Sequence, residues 1–167
     1  MPALPPYRLQ ALLTIRERAK EAAENALGAA IAAKRVEEEK LKALELELSR
    51  MVESRHQYRR EYMEKAMKGE MAAQGAVTVN HYIEHLKGLE KLKQEAIVDQ
   101  KEVIEAREQD VRAARAELLK KTQELKALEK HREKWIEEIK KERAAKEELE
   151  MDELAQTIFL RQNRSEK

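Results

Sequence analysis

The sequence predicts an all-α fold, a long antiparallel two-helix coiled-coil hairpin whose second helix continues past the first as a C-terminal helical overhang. The first observation is a seven-residue column of apolar side chains: Ile97, Ile104, Val111, Leu118, Leu125 and Ile139. A companion column contains Ala114, Leu128, Trp135 and Leu149. The second is that no proline follows Pro6, and the third is that 40% of the residues are charged while 4% are aromatic. These features are typical of long helices that pack on another helix.

The composition also limits the possible functions. A helical rod offers no enclosed pocket for a substrate. The chain lacks cysteine, a phosphate-binding G-x-x-x-x-G-K-[ST] loop and a G-x-S-x-G nucleophile elbow. We therefore expect a protein that is not an enzyme, with no catalytic residue and no cofactor.

Charge and hydropathy argue against two kinds of partner. The 34 basic and 33 acidic residues leave a net charge of +1, which gives no general attraction to nucleic acid or to an anionic membrane. The longest alanine-rich run, residues 26–33, is much shorter than the roughly 20 residues that span a bilayer. The expectation is a soluble, cytoplasmic protein without direct membrane insertion.

The first half of the chain is predicted to contain an extended proline-rich arm and one helix. Residues 1–6 form the arm, and Pro6 suits the first turn of the helix that follows. The apolar pattern then continues without interruption over residues 7–68. At 1.5 Å per residue this first helix measures about 90 Å.

The second half is predicted to turn back and form a longer helix. Gly69, Gly75 and the β-branched run at 77–79 disfavour helix together, so residues 69–79 are assigned to the turn. Thr78 or Asn80 then caps a second helix over residues 80–160, about 120 Å long. A turn centred near residue 73 places Tyr7 beside Ile139 and leaves the helix unpaired from about residue 140. Residues 161–167 form a tail.

Two polar patterns have ordinary explanations. His81 and His85 lie one helical turn apart, but no third ligand accompanies them, so no metal site is predicted. A basic stripe is interrupted by Glu61 and Glu64 and is more typical of a solvated face than of a nucleic-acid site. Its members are Arg55, Arg59, Arg60, Lys65 and Lys68.

The aromatic residues near the turn allow two interpretations. Tyr58, Tyr62 and Tyr82 flank the predicted turn together with Leu86. They either close the hairpin as core residues or present a binding surface, for which tyrosine and methionine are favoured. Methionines at positions 63, 67 and 71 enrich the same region. Trp135 falls in the seam and is predicted to pack there.

Two short motifs stand out at opposite ends of the predicted hairpin. One is the segment from Leu149 to Gln156, Leu-Glu-Met-Asp-Glu-Leu-Ala-Gln, with Arg161 following. The other is the pair Tyr58-x-x-x-Tyr62 and Tyr82-x-x-x-Leu86 on either side of the turn. Both motifs resemble those of the FliJ family, the stalk proteins of the flagellar type III export ATPase. The resemblance covers nearly the whole chain. The injectisome counterparts, the YscO-like proteins, share this architecture, and the sequence does not separate the two.

The resemblance implies a role and a set of partners. A stalk of this kind inserts into a hexameric export ATPase, stimulates it and links it to the membrane export gate protein, and it also associates with export chaperones. Met151, Asp152, Glu153, Leu154 and Leu149 are then expected to contact the ATPase ring. Tyr58, Tyr62, Tyr82 and Leu86 are expected to contact the gate. The protein would be a monomer, located peripherally at the inner-membrane export apparatus.

One alternative belongs to another functional class. Two chains could pair along their length as a structural homodimeric coiled-coil scaffold, with the glycines only softening a continuous rod. A hairpin is a monomer with its own antiparallel seam, whereas the scaffold is an obligate dimer. The oligomeric state therefore separates the two hypotheses.

Overall fold

A computed structural model describes residues 5–165, and in this part of the chain it contains two helices and no strand. The first helix, α1, is Gln10–Met67, and the second, α2, is Ala73–Ser165. Residues 68–72 join them. Both helices are far longer than the three to four turns usual in globular proteins, so they depend on packing against another helix. The all-α prediction is confirmed.

The start of α1 lies later than the predicted Tyr7. Pro5, Pro6 and Tyr7 have no regular structure, and residues 1–4 of the predicted arm lie outside the described part. The Gln10 N–H donates to the Tyr7 carbonyl at 3.0 Å, which is the first bond of the helix entry. Tyr7 is itself buried, because its ring packs against α2. That contact fixes the backbone just before the helix.

The connection between the helices is a glycine C-cap. Gly69 has a φ of 72°, the left-handed conformation that glycine adopts without steric cost. The Gly69 N–H donates to the Ala66 carbonyl at 3.1 Å, and the Glu70 N–H donates to the Lys65 carbonyl at 3.2 Å. This pair of bonds is the Schellman motif, which satisfies two of the last carbonyls of α1.

The turn is shorter than the predicted 69–79, because α2 already begins at Ala73. Gly75 and the run 77–79 lie within the first turns of α2. Thr78 caps nothing, since its hydroxyl donates to the Gln74 carbonyl inside the helix at 3.2 Å. The helix penalty of β-branched residues is only a few tenths of a kcal/mol each, and packing of the half-buried Val79 and buried Ile83 exceeds it.

At the other end, α2 continues past the predicted Leu160. Residues 161–165 of the predicted tail are helical, and residues 166 and 167 lie outside the described part. Neither glycine nor proline, the two strongest stop signals for a helix, occurs directly after Leu160.

The chain divides into two compact units, each of which pairs a segment of α1 with a segment of α2. The tip unit is residues 25–116 and contains the turn. In it Glu47 meets Lys93 and Arg55 meets Glu90, so the two segments are antiparallel. The described part of the terminal unit is residues 5–24 and 117–165. There Arg16 meets Glu124, and Tyr7 meets His131 and Trp135, again antiparallel.

The predicted seven-residue column forms the core of α2 in both units. Of its predicted members, Ile97, Val111 and Leu125 are buried, while Ile104, Leu118 and Ile139 are half-buried. The same seven-residue spacing also includes the buried Ile83, which was not predicted. In the companion column Ala114, Leu128 and Trp135 are half-buried, but Leu149 is exposed. Tyr7 meets residues 131 and 135 rather than Ile139, because the turn is centred on residue 70 instead of 73.

Candidate interaction surfaces

The predicted gate residues lie in the tip unit, and two of them are in contact. The rings of Tyr58 and Tyr82 meet edge to face, with centroids 5.0 Å apart and planes at 68°. Tyr58, Tyr62 and Leu86 are half-buried, while Tyr82 is exposed. The core interpretation holds for Tyr58, and the binding-surface interpretation stays a prediction. Tyr58 contributes to packing between the helices, and Tyr82 extends that packing to an accessible surface.

A buried ion pair lies beside this aromatic pair and was not predicted. Nε of Arg55 donates to the Glu90 carboxylate at 2.6 Å, and the two side chains are 13% and 9% exposed. Glu90 occupies the seven-residue column between Ile83 and Ile97. In the sequence it looks like an interruption of that column. Arg55 on the facing helix could have indicated this ion pair, but only if the alignment of the two helices had been known.

The predicted basic stripe on α1 is largely neutralised by acids of the same chain. Besides the Arg55 pair, Arg60 bonds Glu53 at 3.1 Å and Lys68 bonds Glu64 at 2.9 Å. The same helix face carries exposed methionines at positions 63 and 67. They line a shallow groove of about 370 Å³ together with His56, Arg59, Arg60 and Glu64.

Polar side chains also cross between the helices further along the tip unit. Lys34 pairs with Glu108, Lys93 donates to Glu47 at 2.7 Å, and Gln100 donates to the Glu37 carboxylate at 2.7 Å. Lys93 and Gln100 occupy the companion column, where the sequence has no apolar residue between Leu86 and Ala114. These bonds replace apolar packing there and connect α1 to α2 at defined positions.

These contacts shift the pKa values of the groups involved. The hydrogen bond from Lys34 lowers the pKa of Glu108, and the same bond raises the pKa of Lys34. The hydrogen bond from Lys93 lowers the pKa of Glu47. For Glu37 the pKa is lowered first by Lys40 and then by Gln100. In each case the hydrogen bond favours the charged form.

In the terminal unit an aromatic cluster holds the residues before α1 against α2. The Tyr7 hydroxyl and Nδ1 of His131 share a hydrogen bond of 2.6 Å. The Tyr7 ring lies 5.1 Å from that of Trp135 and 5.9 Å from that of His131. The predicted packing of Trp135 in the seam is confirmed. Tyr7 as its partner could not be predicted without the register.

The predicted ring-contact residues lie on an exposed stretch of α2. Every residue from 144 to 164 is exposed, and Leu149, Met151 and Leu154 are each more than half exposed. Asp152 and Glu153 are exposed beside them. The structure thus presents all five on one uninterrupted helical segment. It leaves them accessible to another molecule.

Within residues 5–165, no group of three or more His, Cys, Asp or Glu side chains is arranged to hold a metal ion, and His81 and His85 are exposed. In the same residues, neither helix contains a stretch sufficiently long and apolar to cross a bilayer.

Comparison with known proteins gives two matches. The family model described as YscO-like protein matches residues 4–165. Among solved structures, the chain is similar to one from Chlamydia trachomatis described as that of a YscO homologue, CT670. The two are 27% identical with a TM-score of 0.81, and the match covers 98% of this chain and 99% of the other. No curated protein matches the chain.

Proposed function

The chain belongs to the YscO-like family, and on this premise we propose that it is the central stalk of a type III secretion ATPase complex. Family membership implies a secretion-associated stalk protein, a structural component rather than a known enzyme. Of the two forms that the sequence left open, the family match supports the injectisome counterpart. The flagellar FliJ assignment itself has no separate support.

The observation that carries the proposal is the exposed stretch of α2 from residue 144 to residue 164. Exposed apolar side chains grouped in this way are typical of an interaction site. The stalk inserts this segment into a hexameric export ATPase and contacts it through Leu149, Met151, Asp152, Glu153 and Leu154. ATP is bound by the ring, and the chain stimulates its hydrolysis.

The second contact is made in the tip unit, with the membrane export gate protein. Tyr58, Tyr62, Tyr82 and Leu86 form this surface, and the accessible Tyr82 supports its assignment. Tyrosine is enriched at interfaces because it combines a large apolar ring with a hydroxyl. Through these two surfaces the protein links ring and gate at the cytoplasmic side of the membrane. Export chaperones are further partners in this proposal.

The ring contact is tested with a purified hexameric secretion ATPase, by pull-down and by ATPase rate. We expect the full chain to bind and stimulate the enzyme, and a chain truncated after Lys146 to lose both effects. Replacement of Tyr58, Tyr62 and Tyr82 by alanine serves as the control and retains stimulation, because these residues lie in the other unit. The absence of any effect of the full chain would refute the stalk function.

The homodimeric scaffold remains the alternative of another class. It required a continuous rod through residues 69–79, whereas the chain turns at 68–72 and pairs with itself in the tip unit. The stalk is proposed to be a monomer. Analytical ultracentrifugation at micromolar concentration distinguishes the two, since an obligate dimer would contradict the proposal.

A further inference from the structure

The exposed stretch of α2 carries an apolar stripe that is not a continuation of the seam between the helices. Extended by sevens, the column of Ile139 becomes Lys146, Glu153 and Leu160. The column of Trp135 becomes Glu142, Leu149 and Gln156. The face that packs on α1 thus becomes mostly polar after residue 139. Packing on α1 therefore does not explain the apolar side chains that follow in this stretch of α2.

A new stripe begins on another face of the same helix. Met151, Leu154, Ala155 and Ile158 follow one another at spacings of three, one and three residues. At 3.6 residues per turn these positions lie on one side of the helix, and Leu160 lies about 180° from Met151. The three large side chains of the stripe are 66%, 57% and 56% exposed. The stripe is therefore an unpartnered apolar face.

The charge around this stripe is strongly of one sign. Residues 147–160 contain no lysine or arginine. They contain five acids, which are Glu147, Glu148, Glu150, Asp152 and Glu153. The whole chain, by contrast, has a net charge of +1. A local concentration of negative charge on a nearly neutral protein steers the approach of a partner with positive charge.

Two occupants are disfavoured by these observations. A second copy of the chain would bring five further acids against the first five, and the stripe has only three large apolar residues. The apolar repeat that indicates a coiled-coil seam extends over at least about three to four heptads, and this stripe is much shorter. An anionic membrane surface would repel the same acids. The stripe is short enough to fit a preformed socket on a larger partner.

We propose that this segment docks by Met151, Leu154 and Ile158 into an apolar socket with a basic rim, so that lysine or arginine residues of the partner face the four acids nearest the stripe, Glu147, Glu148, Glu150 and Asp152. This inference rests on the proposed function, in which the partner is the hexameric secretion ATPase. It adds the face of the helix that makes the contact and the chemistry of the surface that receives it.

The apolar part is tested by the affinity of full-length variants for the purified hexameric ATPase. Leu154→Gln with Ile158→Gln weakens binding by about tenfold or more, as expected for central apolar contacts. The matched control, Leu119→Gln with Leu160→Gln, replaces two side chains that are 59% and 64% exposed and leaves affinity unchanged. We expect circular dichroism to give the wild-type melting temperature for all variants, because none of the four residues is buried.

The electrostatic part is tested by salt dependence. Wild-type affinity falls between about 0.05 and 0.3 M salt, because screening weakens the contact between acids and basic rim. Glu147→Gln, Glu148→Gln and Glu150→Gln together lower the affinity at low salt and flatten this dependence. The matched control replaces Glu129, Glu133 and Glu137 by glutamine. It changes the net charge by the same amount and leaves the affinity and its salt dependence unchanged.

The outcomes separate the inference from the function on which it rests. Wild-type chain that fails to bind the ATPase at any salt concentration overturns both. Wild-type chain that binds, with the two apolar variants equally affected or with affinity independent of salt, overturns the inference and leaves the stalk function intact.

Discussion

Gly69 is the residue at which the chain leaves α1, and its backbone conformation is one that other residues adopt at a cost. With φ at 72° and two main-chain bonds that close the Schellman motif, the position needs a left-handed residue. An added Cβ would meet no atom within 4 Å. The cost of a substitution there is consequently conformational and owes nothing to crowding.

Gly69→Ala is therefore expected to lower the free energy of unfolding by about 1 kcal/mol. Gly88→Ala is the matched control, because Gly88 lies inside α2 with equally open space around it. There alanine restricts the unfolded chain and favours helix, so we expect a gain of roughly 0.5–1 kcal/mol. Urea unfolding followed by circular dichroism measures both changes. Equal effects of the same sign would contradict this explanation of the turn.

The Arg55–Glu90 pair shows how one residue position can conflict with its surroundings and still be stable. Glu90 lies between the apolar Ile83 and Ile97 of the column and is tolerated because Arg55 bonds it at 2.6 Å. Breaking a buried pair leaves a charge without a partner, whereas replacing both members by apolar residues removes the desolvation cost as well. The pair thus stabilises one alignment of α1 and α2 relative to alignments that are shifted along the helices.

A double-mutant cycle tests this pair. Arg55→Leu or Glu90→Ile alone is expected to destabilise the protein by roughly 3 kcal/mol, while the double variant stays within about 1 kcal/mol of wild type. The exposed pair Arg60–Glu53 is the control, and breaking it should change stability by less than about 1 kcal/mol. Additive effects of Arg55→Leu and Glu90→Ile in the double variant would show that the two side chains are not coupled.

At the scale of the helices, the sequence predicted the elements better than their ends. The column from Ile97 to Leu125 was identified because a seven-residue apolar repeat can be recognised in one helix alone, whatever its alignment with the other helix. The turn was placed too late because Gly75 and residues 77–79 are poor helix formers. Propensities of a few tenths of a kcal/mol are easily outweighed by packing, whereas the left-handed Gly69 is a strong stop signal.

The same difference explains which parts of the candidate surfaces could be predicted. Tyr58 and Tyr82 flank any turn placed between them, so their common location near the turn was predictable, whereas the contact between their rings required the register. The contacts of Tyr7 with His131 and of Arg55 with Glu90 required the register, which follows only from the turn. The exposure of Met151 and Leu154 was predictable, because a longer second helix has no first-helix partner at its end.

At the scale of the whole molecule, the two proposed surfaces belong to different units. Each unit has its own paired segments of α1 and α2, and each contributes one candidate surface. The gate residues lie in the tip unit, and the ring residues lie in the terminal unit. Changes to one surface should therefore leave the other intact, which is the basis of the tyrosine control in the ATPase experiment.

Charge balance gives the molecule a stability that depends on pH. Glu47 and Glu108 each bond a lysine of the facing helix, and both have a pKa below the usual glutamate range. A carboxyl whose pKa is lower when folded than when unfolded contributes its full stability above the unfolded value. That contribution disappears as the pH falls through the folded value. Stability from these bonds is hence present at neutral pH and lost in acid.

Glu108→Gln isolates one of these carboxylates. At about pH 7 the variant should unfold at a lower urea concentration than wild type, because Lys34 loses its charged partner. As the pH falls through the folded pKa of Glu108, which lies below its ordinary value, wild-type Glu108 itself becomes protonated and the difference should shrink. Glu105→Gln, at an exposed position nearby, is the control and should show no such change with pH. A difference that persists or grows in acid would mean that the bond to Lys34 does not stabilise the charged form of Glu108.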